Sequence, residues 1–486
     1  MRVVRANVNT IIVDRTNTDL NAIITSIGSE VSTLYIYEAV SLSAHLTIPS
    51  TCSVVIDGNG SINLITWILI INGTFRAHPI QRIFLYTTGY VLFGVTGAAP
   101  EISPCWFGMI GDNDSSRASA NYTAFNQALT SAYITQIGTG AGVDLYKISP
   151  KIKIPTGIYY INDTVVMNRY GITIEGYGAA FRYTKTSGAC LDYGSIFDTN
   201  LMGLTIILHT DAATVYGIKM VGRRNNFRDV AILGNTAAMT LNVGIRIEGS
   251  SGTSGVMNKF ENVYANCGTS ISILNTVGAG PSASPNYFSK IVDASYEGVI
   301  LRGASCNKFE DLNSQTTKAG GYSVQLLKNG ADLSNGNDIG YSRMVKNISI
   351  ESGCLYNRIF KQDVTTMGPV VLPQSPDNYF ESLDTDYPVN SAKIATFASG
   401  DTSPSVRGKK VCKTANVAPT TITTFDDSVE GQSLRVIFTD AITTIDFTGT
   451  NLKGNAGVDW TPNAGDMMIC VYDGTNWYCN PVDCTA

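Results

Sequence analysis

The chain has 486 residues, of which only 15% are charged, and its formal net charge is -5. That balance argues against a nucleic-acid binder, which needs a basic field to draw phosphates. The most apolar run, Ile62 to Ile71, is interrupted by Asn63 and Thr66 and is too short to cross a bilayer, so no membrane insertion is expected.

The opening Met1-Arg2-Val3-Val4-Arg5-Ala6-Asn7 has no apolar stretch before a small-residue cleavage site, so no secretory signal is expected. Residues 1–103 read as short strands, such as Ser53-Val54-Val55-Ile56 and Trp67-Ile68-Leu69-Ile70, separated by turn clusters such as Asp57-Gly58-Asn59-Gly60. A small N-terminal β module is expected there. Next come Pro104-Cys105-Trp106-Phe107-Gly108, Gly111-Asp112-Asn113-Asp114, and Tyr122 to Leu129, whose apolar spacing suits an amphipathic helix able to cover the open end of a solenoid.

From there two phrases repeat. One is Asn226-Phe227-Arg228, Asn258-Lys259-Phe260-Glu261, Asn286-Tyr287-Phe288-Ser289, Asn307-Lys308-Phe309-Glu310 and Asn378-Tyr379-Phe380-Glu381. The other is Gly217-Ile218-Lys219-Met220, Gly244-Ile245-Arg246-Ile247, Ser270-Ile271-Ser272-Ile273 and Gly298-Val299-Ile300-Leu301. Short alternating strands repeated along a chain describe the coils of a solenoid. Alternation sends Phe227, Phe260, Phe288 and Phe309 inward and Arg228, Glu261, Ser289 and Glu310 outward, with the recurring asparagines stacked at bends.

Trp106-Phe107-Gly108, Gly111-Asp112-Asn113, the helix, Pro155-Thr156-Gly157-Ile158-Tyr159 and Ile174-Glu175-Gly176-Tyr177-Gly178 follow one another in the order found at the start of the pectate-lyase-like superfamily, and residues 104–400 resemble it. Asn113 stands where that family has a second glycine. The resemblance implies an all-β, right-handed, single-stranded parallel β-helix with a capping helix. From about residue 401 the repeat stops, and Ser433 to Phe438, Met468 to Tyr472 and the Asp473-Gly474-Thr475-Asn476 turn into Trp477 predict a compact antiparallel β module. The flanking modules resemble those of phage tailspikes. That implies a homotrimer on a virion tail, made in the host cytoplasm, that binds bacterial surface polysaccharide and cleaves it as a depolymerase. A non-catalytic adhesin, or a lyase or epimerase, are the alternatives.

Glu261 and Glu310 should lie two coils apart, about 9.6 Å at the usual strand spacing. Inverting glycoside hydrolases hold their carboxyl pair roughly 6.5 to 9.5 Å apart, so these two are candidates for acid and base; the plain alternative is solvated carboxylates on an outward face. Glu248 beside Arg246 offers a third acid. Arg246, Arg302, Tyr264, Tyr296, Asp293 and Glu297 are candidates for holding sugar, the tyrosines by stacking and Asp293 and Glu297 at a turn. His45, His78 and His209 are scattered, so no metal centre, cofactor or Ser-His-Asp arrangement is indicated, and the signatures of pectin chemistry are missing. The ten cysteines are expected as free thiols, with Cys267, Cys306 and Cys354 at or beside repeat strands as small core-filling hydrophobes, and Cys470, Cys479 and Cys484 close enough in sequence to leave a disulfide open.

Overall fold

Between Ser32 and Phe93 three short strands make one turn, and a strand of one turn pairs with its counterpart three places on. Thr10–Val13, Ser32–Ile36, Cys52–Ile56 and Phe75–Ala77 pair in parallel in that order. Ala39–Ser41, Ser61–Ile65 and Phe84–Tyr86 form a second such row, and Leu46–Ile48, Ile68–Ile71 and Tyr90–Phe93 a third. The N-terminal residues are therefore wound as coils, with Val4–Asn7 laid antiparallel on the first strand.

The computed structural model describes residues 4–7, 10–13, 18–94, 98–132, 150–209, 214–234, 240–249, 256–275, 285–315, 322–330, 332–344, 347–363, 379–382, 394–406 and 409–484. It is an all-β parallel solenoid of about 15 turns with few helices and a C-terminal mixed sheet. The described residues form two compact units, one ending at Glu351 and one starting at Ser352.

A helix that the strand pattern concealed spans Leu20–Ile27, started by Asp19, whose side chain accepts from the Asn21 N–H. Leu20, Ile23, Ile24 and Ile27 are its buried stripe, at the spacing of one helical face. The expected helix is present as Ala118–Ser131. It lies against both Tyr90–Phe93 and Gly157–Ile161 rather than over an open end. Coils precede and follow it, because Glu101–Ile102 pairs with Lys151–Lys153 and carries the sheet past. Phe125 is fully buried on its inner side, edge-on to Phe181 at 5.1 Å.

The repeated phrases build three sheet faces. Asn226–Gly234 is one continuous strand, yet its first part pairs with Asn200–Met202 and its second with Thr205–Leu208. It turns a corner at Asp229, where φ is 55°, and Asn262, Lys290 and Asp311 turn the next coils with φ of 54°, 52° and 56°. The third face comprises Val215–Met220, Val243–Gly249, Thr269–Asn275, Glu297–Arg302 and Tyr322–Leu327. Inside, Phe227, Phe260, Phe288 and Phe309 stack with centroids 4.7, 4.7 and 4.4 Å apart and nearly parallel planes.

Beside them runs the asparagine ladder. Asn225 Nδ2 donates to Asn258 Oδ1 at 3.1 Å, Asn258 to Asn286 at 3.0 Å, Asn286 to Asn307 at 3.1 Å and Asn307 to Asn337 at 3.1 Å. Each carboxamide oxygen also accepts the main-chain N–H of the coil before, so the bends satisfy one another in a buried setting. In the first coil the member is Asn225, not the Asn226 of the repeated phrase. The fifth copy begins at Asn378, outside the described residues; its Tyr379–Ser382 pairs in parallel with Arg358–Asp363 in the second unit.

The C-terminal sheet runs Ala395–Thr396, Val411–Lys413, Ser433–Ile437, Met467–Tyr472, Trp477–Val482, Leu452–Lys453. The expected hairpin is there, turned by Gly474 at φ 96° with Asp473 accepting from the N–H groups of Thr475 and Asn476. The sheet is mixed rather than antiparallel, because Val411–Lys413 and Leu452–Lys453 join it in parallel.

Candidate functional site

The three proposed catalytic carboxylates are divided between faces. Arg228, Glu261, Ser289 and Glu310 are in direct register on the first face, so Glu261 and Glu310 stand two strands apart. Glu248 is on Val243–Gly249, a strand of the third face.

Each carboxylate already holds a cation. Lys259 Nζ is 3.4 Å from Glu261, and Lys308 Nζ is 2.5 Å from Glu310, which also accepts from the Tyr287 hydroxyl. Lys308 first, then Tyr287, holds the Glu310 carboxyl below the usual glutamate range, while Glu310 pushes the Tyr287 phenol up to about 12. The Tyr287 ring lies between the ammonium groups of Lys259 at 6.0 Å and Lys308 at 5.7 Å, so its faces are occupied. A general acid for glycoside cleavage needs a raised pKa, and Glu310 has the opposite. Glu248 accepts from Arg246 Nε at 3.1 Å with Lys219 Nζ 3.3 Å away, and Arg246 donates to Ser272 Oγ at 2.7 Å.

The proposed sugar contacts are equally dispersed. Arg302 is exposed on the third face, opposite Leu274, and Glu297 is half-buried opposite Thr269. Tyr296 is half-buried one residue before it. Asp293, expected at a surface turn, is sealed inside the coil: it accepts from Ser295 N–H at 2.9 Å and Ser314 Oγ at 2.7 Å, and burial pushes its carboxyl up despite these bonds. In this fold it cannot reach a ligand outside.

Tyr264 differs from the other candidates. It is 37% exposed, and its register neighbours on the coils either side are Ala231 and Val292, which carry no polar group to pair with it. Two residues before it is the corner, where a cluster lies that sequence reasoning missed. Asn262 Nδ2 donates to Asp229 Oδ1 at 2.6 Å, the exposed Tyr177 donates its hydroxyl to Asp229 Oδ2 at 2.8 Å, and Arg228 Nε lies 3.6 Å from the same oxygen. The Asn262 amide, then Tyr177, holds the Asp229 carboxyl below the ordinary aspartate range. The available signal was Asp229, Asn262 and Asp311 two places after each phenylalanine, since Asp and Asn are enriched among non-glycine residues at positive φ. Among the described residues no group of three or more His, Cys, Asp or Glu is arranged to hold a metal.

No known family model matches the chain, and no curated protein matches it. Among solved structures it is similar to ORF18 of Geobacillus virus E2, with 11% identity, a TM-score of 0.43, and coverage of 78% of this chain and 76% of that one. It is also similar to PfbA, a surface adhesin of Streptococcus pneumoniae, with 12% identity, a TM-score of 0.29, and coverage of 79% and 99%. Neither match is close enough to bear on chemistry.

Proposed function

We propose that this chain is a glycan-recognition fibre of the tailspike type that holds a bacterial surface polysaccharide on the outer corner of its solenoid. The observation that carries this is Tyr264, a partly exposed aromatic residue two places after the hydrogen-bonded Asp229–Asn262 corner. A tyrosine ring packs on the C–H face of a sugar, while a carboxylate and a carboxamide match neighbouring hydroxyls. The hydrogen bonds from Asn262 and Tyr177 hold the Asp229 carboxylate in place before ligand arrives, which lowers the ordering cost of binding. As a tail fibre the chain would work as a homotrimer on a virion. Among the described residues no helix is long and apolar enough to cross a membrane.

Polysaccharides purified from a panel of bacterial surfaces provide the test. A binder should be retained by the wild-type chain, with affinity falling about tenfold in Tyr264→Ala. Equal retention by the variant removes this reading. A second reading, a hydrolytic depolymerase, is favoured by the register of Glu261 and Glu310. It predicts shortened polysaccharide chains and loss of that shortening in Glu310→Gln.

A further inference from the structure

The terminal hairpin sets two cysteines face to face. Cys470 on Met467–Tyr472 is in register with Cys479 on Trp477–Val482. The turn is closed by the Asp473 N–H donating to the Asn476 carbonyl at 3.0 Å. Hydrogen-bonded and non-bonded pairs alternate from there, so Tyr472 with Trp477 is non-bonded, Val471 with Tyr478 bonded, and Cys470 with Cys479 non-bonded.

Two further features fix that parity. Tyr472 spends its N–H on Gln432 and its carbonyl on Gly431, on the opposite side of its strand. Pro481, which has no N–H to give, stands opposite Met468 at another non-bonded position. Such pairs bring α-carbons to about 4.5 Å, within the roughly 4.4–6.8 Å that a disulfide spans.

Both side chains face the core of the second unit, Cys470 fully buried and Cys479 8% exposed. Cys412 shares that core but lies two strands away from Met467–Tyr472, across Ser433–Ile437. At about 4.8 Å per strand that separation is beyond disulfide reach. Both cysteines of the pair are free thiols in this structure.

We propose that Cys470 and Cys479 are a disulfide-forming pair, a covalent lock on the terminal hairpin that closes when the folded chain meets a low-molecular-weight disulfide such as oxidised glutathione. The Cys479 thiol, the more accessible, loses its proton and attacks one sulfur of the oxidant, releasing one glutathione thiolate. Cys470 then gives up its proton and attacks the Cys479 sulfur, breaking the mixed disulfide and releasing the second glutathione. Two protein thiols are oxidised, one small disulfide is reduced, and the two protons go to the two departing thiolates. Burial and the neighbouring Cys479 thiol hold the Cys470 proton firmly, so closure is slow and follows local opening.

The experiment incubates the full-length chain with oxidised glutathione without denaturant, blocks remaining thiols, and maps peptides by mass. Cys306, expected in the core but exposed beside its strand, and the exposed Cys484 should carry glutathione, which shows that the oxidant acted. The expected result is a peptide linking Cys470 to Cys479 with no glutathione attached. Hydrogen exchange in Met467–Tyr472 and Trp477–Val482 should slow by roughly tenfold or more on oxidation. In Cys479→Ser that slowing should vanish, while Cys412→Ser should keep it. Glutathione on Cys484 with Cys470 and Cys479 still open to alkylation would overturn the proposal, as would a link from either to Cys412.

Discussion

Asn258 shows how much one side chain carries here. Its oxygen accepts both the main-chain N–H and the amide of Asn225, and its own amide donates to Asn286 Oδ1 and the Gly222 carbonyl, all in a fully buried position. Asn258→Ala strands those groups without water, so it should cost about 3 kcal/mol, read as a lower urea midpoint. Asp293 is the second such residue, with a different dependence. Its folded pKa is raised, chiefly by burial, so its protonated form suits the fold. Stability should be fullest below the ordinary aspartate value and fall as pH rises through the raised one, and Asp293→Asn should flatten the urea midpoint across that window. Asn258, Asn286 and Asn307 were legible because they recur before phenylalanines; Asn225 was confused with its neighbour Asn226, and Asn337 was passed over because Ile339 stands where the phrase has phenylalanine. Asp293 was not legible: the Ser295 N–H and the Ser314 hydroxyl that make its burial tolerable come from a turn and another coil.

At the scale of the element, the decisive feature is a strand that bends without ending. Phe227 and Val230, Phe260 and Val263, Phe288 and Ile291, and Phe309 and Leu312 are all buried, three apart instead of two. Two successive residues therefore face outward, the second at positive φ. Simple alternation places the first of these correctly, which is why Glu261 and Glu310 were aligned from sequence. It passes over the second, which is why Asp229 and Asn262 were missed. Asn262→Val puts a β-branched residue at φ 54° and should lower stability by about 1 to 3 kcal/mol. Asn262→Gly suits that backbone and should keep the urea midpoint while weakening retention of polysaccharide. Equal binding by Asn262→Gly would remove the corner from the site. Phe288→Ala, in the middle of the ring stack, should cost about 3 to 5 kcal/mol in the same unfolding assay.

Across the whole molecule, the fold could be read because a solenoid repeats its rules, and each copy of a phrase checks the last. Residues 1–103 lack such phrases, so their strands were visible but their winding into coils was not. Function was less legible, since a register of outward residues fixes positions but not what each side chain holds. Lysines two residues before Glu261 and Glu310, and Arg246 beside Glu248, turn the proposed acids into ion pairs. A partly exposed tyrosine and a hydrogen-bonded polar corner remain, a surface suited to holding sugar. The most direct measurement of that claim is the chain length of a surface polysaccharide retained by the wild-type protein, followed over time. Retention with unchanged length, weakened in Tyr264→Ala, is the predicted result; progressive shortening that stops in Glu310→Gln would contradict it.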